Sequence, residues 1–201
     1  MNRAVIAIAA GALAAGVLDI IYAFVVFGPL SYGLSAQDVL HSIAAGWIGR
    51  DAALAGGWNT AWLGLGSHFL ITAIMAAAYV MAAQSMKMLT KNALLWGFLY
   101  GLALYVAMNH IVVPLSAAGP SGHFASTFGE AMERLQTAFS AIRPTYDSNH
   151  PWLIPGTILT HTVLVGIPIA LSAKHFAVRP TEPPPIHSTR PTGNYSRRAS
   201  R

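Results

Sequence analysis

The sequence predicts an all-α fold, an integral membrane four-helix bundle carrying two amphipathic extracytoplasmic helices. Three observations predict it. Only 9% of the 201 residues are charged and 54% are hydrophobic, where a soluble domain carries roughly 25% charged residues. The apolar residues gather into four stretches, about 4–29, 58–84, 92–115 and 152–174, each reaching the ~20 residues that cross about 30 Å of hydrocarbon. Lys and Arg fall mostly on one side of a four-span layout, as short loops that stay in the cytoplasm require. Residues 1–176 then form one transmembrane domain, and 177–201 a disordered basic cytoplasmic tail.

The first stretch starts with Arg3 and an Ala-rich run, but it continues through "VLDIIYAFVVFGPL". That is longer than the 7–15 apolar residues at the heart of a signal peptide, so the segment reads as a retained helix. Arg3, Lys87, Lys91, Lys174 and Arg179, with the arginines of the tail, share one side of the layout, whereas Arg50, Arg134 and Arg143 share the other. The rule places both termini in the cytoplasm and the two longer connections on the periplasmic or outer side. Trp58, Trp62 and Trp152 fall near the predicted outer ends, where an aromatic belt sits.

The first outer connection, "SAQDVLHSIAAGWIG", places Leu40, Ile43, Trp47 and Ile48 at helical spacing, with Ser35 as a cap three residues before Asp38. It is expected to lie along the membrane surface. The second, "STFGEAMERLQTAFSAIRP", repeats the pattern with Phe128, Met132, Leu135, Phe139 and Ile142. Glu130, Glu133 and Arg134 fall on its wetter side, and Pro144 stops it. The final "RPTEPPPIHSTRPTGNYSRRASR" has almost nothing to bury.

Polar residues inside the spans carry the functional question. A carboxylate at mid-span costs about 2.5–3.5 kcal/mol on an insertion scale, so Asp19 is expected to face protein or water. Gly11, Ala12, Ala15, Gly16 and Tyr22 share its face. In "LGSHFLITAIMAAAYVMAA", His68 shares a face with Gly64, Thr72, Met75 and Tyr79, while Leu63, Leu70, Ile74 and Met81 point away. The third span steps through Gly97, Gly101, Tyr105 and Asn109 at intervals of four, and its two glycines form a GxxxG pair. The fourth places Thr157 and His161 on one face, with Pro168 further in. Counting about 1.5 Å per residue from the outer ends, Asp19, His68 and His161 all lie roughly 15 Å deep, with Asn109 shallower.

Three readings fit a meeting of Asp19, His68, Asn109 and His161, with Tyr22 and Thr157 beside them. One is a structural hydrogen-bond cluster in which Asp19 accepts from a histidine. The second makes His68 and His161 axial ligands of a b-type haem, or joins them with Asp19 around a divalent metal. The third is a path for protons or a small solute. Signatures of hydrolases and nucleotide-dependent enzymes are absent from the sequence. So is cysteine, which excludes disulfides, thiolate sites and cysteine nucleophiles. The net charge of +5 is concentrated in the tail, which fits lipid headgroups rather than nucleic acid.

The strings "SIAAGWIGRDAALAGGWNTAWLGLGSHF", "YGLALYVAMNHIVVPLSA" and "HTVLVGIPIAL" resemble those of an uncharacterised family of small bacterial four-span membrane proteins, and more distantly YagU-like inner-membrane proteins. The resemblance covers about residues 8–172. It implies the location and the layout, and it supplies no activity or site residues. The surfaces expected from the residues, small-residue faces and amphipathic outer helices, point to a non-catalytic accessory or scaffold subunit working with membrane protein partners or as a homo-oligomer. The cofactor and transport readings stand as alternatives.

Overall fold

A computed structural model describes residues 2–119, 121–140 and 147–177. The expected tail falls outside these but for Ala177, as do Ile142, Arg143 and Pro144. The helices run α1 (Arg3–Phe27), α2 (Ala36–Ile48), α3 (Arg50–Ala55), α4 (Gly57–Ser85), α5 (Met88–Lys91), α6 (Ala93–Leu115), α7 (Phe128–Ser140) and α8 (Leu153–Phe176). No strand occurs among the described residues. By length and composition α1, α4, α6 and α8 can each cross a membrane, which makes this a multi-pass membrane protein. Their bounds fall within two residues of the four predicted stretches. α1 ends at Phe27 because the chain turns at Gly28, where the Gly33 and Leu34 amides bond back to the Gly28 and Phe27 carbonyls.

α1 packs along both α4 and α8, and α6 packs along α8. The half of the helix set nearest Arg3 is filled with small side chains: Ala7, Ala15, Ala76, Ala170 and Ala173 are fully buried around Ile169. Small residues let backbones approach where lipid offers no hydrophobic drive to associate. Tyr79 donates to the Leu89 carbonyl at 3.0 Å and Tyr100 to that of Met75 at 2.8 Å, so the hydroxyls in this half are satisfied by backbone.

α6 and α8 approach backbone to backbone. A Cβ on Gly97 would stand 2.9 Å from the Gly166 oxygen, and one on Gly101 2.5 Å from the Thr162 Cα. The GxxxG pair of α6 is therefore a backbone contact with α8. Each of these helices also contains a wide turn. Met108–Val112 in α6 and Thr160–Gly166 in α8 are π-helical. The last wide bond is donated by Val113 to Met108 and by Ile167 to Thr162. In both cases the next residue is proline, Pro114 or Pro168. Proline cannot donate to the carbonyl four residues back and its ring crowds that carbonyl, and widening the turn re-satisfies the freed groups.

The ends of the long helices away from Arg3 carry α2, α3 and α7. Ser35 and Asp38 form the expected capping box of α2. α2 packs on the long helices: Val39, Leu40, His41, Ala44 and Ala45 are buried, largely against α4. Gly64 makes this possible, since a Cβ there would lie 2.9 Å from the Leu40 carbonyl carbon. None of α7 is buried, and Phe128 is 83% exposed. Arg134, expected on the wet side of α7, turns inward instead. It donates to the His123 carbonyl at 3.0 Å, to Ser121 and to Glu130.

Two outcomes test this packing. Gly101→Ala is expected to lower the thermal unfolding temperature in mild detergent, at a cost of about 1–3 kcal/mol for overpacking. Gly66→Ala, where a Cβ meets nothing within 4 Å, leaves it unchanged or raises it. Equal effects from the two would refute the backbone contact. For the clasp on α7, hydrogen bonds from the Ser126 amide and hydroxyl and from Arg134 hold the Glu130 carboxyl at about 2, below its ordinary 4.5. A depressed folded value contributes stability that is full above pH 4.5 and is lost as pH falls through about 2. Deuterium uptake in residues 121–134, corrected for intrinsic rates, is expected to rise across that window, and Glu130→Gln is expected to remove the transition.

Candidate functional site: a polar cavity between the long helices

A cavity of about 250 Å³ lies between α1, α4, α6 and α8, and Asp19, His68, Asn109 and His161 all line it. Thr72, Met75 and Val165 border it on the Arg3 side, next to the alanine-packed half, while Phe27, Ser42 and Ile43 border it on the side roofed by α2. Asp19 reaches it from α1 with a side chain 26% exposed, and the facing His68 is 9% exposed. The local sequence explains the placement. Gly16, one turn before Asp19, has no Cβ to collide with the Phe69 ring, which such a Cβ would meet at 2.7 Å. His68 can therefore reach the α1 backbone.

Its Nε2 lies 2.9 Å from the Gly16 carbonyl oxygen. A carbonyl only accepts, so Nε2–H is the donor and Nδ1 is left to face Asp19 Oδ2 at 3.9 Å. That gap is too long for a hydrogen bond. The direct Asp19–histidine bond expected from the sequence is not made, because His68 spends its donor on backbone. His161 is built the same way from the other side. Its Nδ1 donates to the Thr157 carbonyl one turn back at 2.9 Å, which leaves Nε2 as the uncommitted nitrogen. Asn109 donates to the Tyr105 carbonyl at 2.9 Å. His161 and Asn109 both sit in the π turns ahead of Pro168 and Pro114, and wide turns of this kind recur at functional sites.

Two residues grouped with these by sequence are placed elsewhere. The Thr157 hydroxyl donates to the Leu153 carbonyl of its own helix at 2.8 Å. Tyr22 does not line the cavity; its hydroxyl rests against Gly156 of α8 and is buried without a hydrogen-bond partner. Tyr105, by contrast, packs edge-on against both His161 and His110, at 5.8 and 6.3 Å between ring centroids.

Sequence reasoning passed over three further sites. His41 is 5% exposed on α2; its Nε2 donates to the Gly57 carbonyl at 2.8 Å and its Nδ1 is buried without a partner. His110 donates through Nδ1 to the Ala138 carbonyl at 2.9 Å, which ties α7 to α6. His150 donates to Asp147 Oδ2 at 2.8 Å, and Tyr32 donates to the same oxygen at 3.1 Å. That bond from His150, followed by the Asn149 amide, holds the Asp147 carboxyl below its ordinary range. The spacing of Asp147 and His150 was the available signal; the α1–α2 turn that brings in Tyr32 carried none.

The chemistry of the cavity follows from this inventory. It presents three proton acceptors, the Asp19 carboxylate, His68 Nδ1 and His161 Nε2, and no Lys or Arg lines it. For a haem, His68 offers Nδ1 rather than Nε2, and the cavity is below the roughly 300–1,000 Å³ of ordinary small-molecule sites. Among the described residues no group of three or more His, Asp or Glu is placed to hold a metal ion. No family model, curated protein or solved structure matches the chain.

Because the chain lacks cysteine, single-cysteine variants report access directly. Asn109→Cys is expected to react with a water-soluble thiol reagent several-fold faster than Ala76→Cys, which sits in the fully buried half. Equal protection at both positions would show that the cavity is closed to water.

Proposed function

We propose that the protein is a proton-exchanging membrane protein whose working group is Asp19. The observation that supports it is a carboxylate 3.9 Å from an imidazole nitrogen, in a cavity without a fixed cation. An isolated carboxylate in hydrocarbon costs several kcal/mol, so Asp19 works with a proton or a small cation from the cavity to balance its charge. Releasing that proton leaves a negative charge that a second proton or a small cation from the cavity must neutralise. Such a site loads and unloads charge, which is what a proton-linked carrier or relay requires. The alanine-packed half blocks passage toward Arg3, while the side toward α2 is bordered by Ser42. The distribution of Arg3, Lys87, Lys91 and Lys174 supports termini in the cytoplasm, and the resemblance noted above supports a bacterial inner membrane.

An accessory role within a membrane complex is the second reading. It is favoured by α7, on which Phe128 is exposed and Met132 and Phe139 are about half exposed among the described residues.

Reconstituted into liposomes under an imposed pH gradient, the full chain is expected to carry a proton flux, read with an entrapped pH-sensitive dye. Asp19→Asn, which keeps the shape and removes the titrating group, is expected to reduce it at least about 100-fold while the unfolding temperature stays within a few degrees. Flux unchanged in Asp19→Asn, or no flux in the wild type, would leave the cluster a structural one.

A further inference from the structure

A second cavity of about 550 Å³ opens on the α2 side of the molecule. Asp38 and His41 of α2 and Arg50 of α3 line it, with Leu34 and Leu54 as apolar walls. Ser42 borders this cavity and the inner one alike, so the two are separated by little more than one turn of α2. The volume is within the range of small-molecule sites.

Three groups here are not used up by the fold. Asp38 accepts the Ser35 amide and hydroxyl on Oδ2, leaving Oδ1 without a recorded partner among the described residues. Arg50 is exposed and forms no ion pair among the described residues, with Asp38 or any other carboxylate. His41 is nearly buried, its Nε2–H is committed to Gly57, and its Nδ1 has no hydrogen-bond partner among the described residues. A buried polar atom left unpaired costs about 1–3 kcal/mol and calls for an explanation. A carboxylate, a lone-pair nitrogen and a guanidinium in one half-apolar cavity are complementary to a solute that carries both charges.

We infer that the outer cavity is a loading site for a small zwitterion. Arg50 takes its carboxylate with the planar fork that suits that group. Asp38 and His41 Nδ1 take its ammonium, and Leu34 and Leu54 take a short aliphatic side chain. A ligand with one charge alone leaves either Arg50 or Asp38 unmatched. Passage onward past Ser42 to Asp19 rests on the proton-exchange reading; binding at the outer site does not.

The test uses the full chain in mild detergent and follows thermal unfolding with three probes of similar size: L-alanine, ethylamine and propionate. L-Alanine is expected to raise the unfolding temperature saturably. The singly charged probes are expected to need at least about ten-fold more for the same shift. Arg50→Gln and Asp38→Asn are each expected to raise the half-saturating alanine concentration at least about ten-fold; both keep a polar side chain, and Ser35 still caps α2. Leu54→Trp, which fills the cavity without touching a charge, is expected to do the same. No shift with L-alanine, equal shifts with all three probes, or an unchanged response in Arg50→Gln and Leu54→Trp would overturn the site. Alanine binding is expected to persist in Asp19→Asn, which separates this result from the outcome of the flux measurement; its loss there would move the site to the inner cavity and overturn the assignment.

Discussion

In hydrocarbon a helix must satisfy its own backbone, and Pro114 and Pro168 each remove a donor that their helices need. The rest of the structure is arranged around that deficit. Both helices widen into π turns just before the proline, ending at Val113 and at Ile167. A wide turn holds one more residue than an α turn, so it shifts the face that the preceding residues present. Asn109 and His161 are carried in these turns, and both line the inner cavity. The glycine contact completes the arrangement, since Gly97 and Gly101 set the α6 backbone directly on that of α8 at the level of His161 to Ile167. With bulky residues at those positions the two wide turns would stand apart and leave a lipid-filled gap in place of a small cavity.

Much of this was legible because the governing periodicities are simple. A composition with so few charges and four long apolar runs leaves little alternative to four spanning helices. Within α4, the 3.6-residue period separates His68, Thr72 and Tyr79, which are buried, from Leu63, Leu70, Ile74 and Met81, which are exposed. Depth counting groups Asp19, His68 and His161, which line one cavity. What the pattern does not carry is the direction of a single polar bond. Thr157 shares a helix face with His161, yet its hydroxyl folds back onto Leu153, the local option that threonine always has in a helix. Tyr22 shares the face of Asp19, but its length takes the hydroxyl past the cavity to Gly156. Nor does residue spacing reveal which imidazole nitrogen is spent on backbone, and that choice decides what His68 and His161 can do. Spacing does not carry the docking of α2 on α4 either, since amphipathic spacing is the same whether a helix rests on a membrane surface, on another helix or on both; Gly64, whose missing Cβ admits the Leu40 carbonyl, permits the docking.

The two halves of the helix set are built on opposite principles. Toward Arg3, alanines and Ile169 pack closely and the Tyr79 and Tyr100 hydroxyls are absorbed by carbonyls, while both tyrosines also border an apolar cavity of about 290 Å³ between α4 and α6. Toward α2, Asp19, His68 and His161 line a cavity in which the Asp19 carboxyl, His68 Nδ1 and His161 Nε2 make no hydrogen bond among the described residues. A merely structural polar cluster has no need of this division, since it is most stable when every member is paired and dry. Here His68 and His161 each direct one nitrogen to backbone and hold the other in reserve, on either side of a carboxylate. Fixing an imidazole by one nitrogen determines its tautomer and so which nitrogen is left to accept. The backbone bonds therefore prepare acceptors, and Asp19 is the group whose charge those acceptors and the water side of the cavity must balance. Closing the 3.9 Å gap into a direct bond would satisfy the pair more fully and make its proton harder to move. On the proton-exchange reading proposed above, the separation would keep the proton exchangeable, at the cost of a cluster that contributes less to holding the helices together.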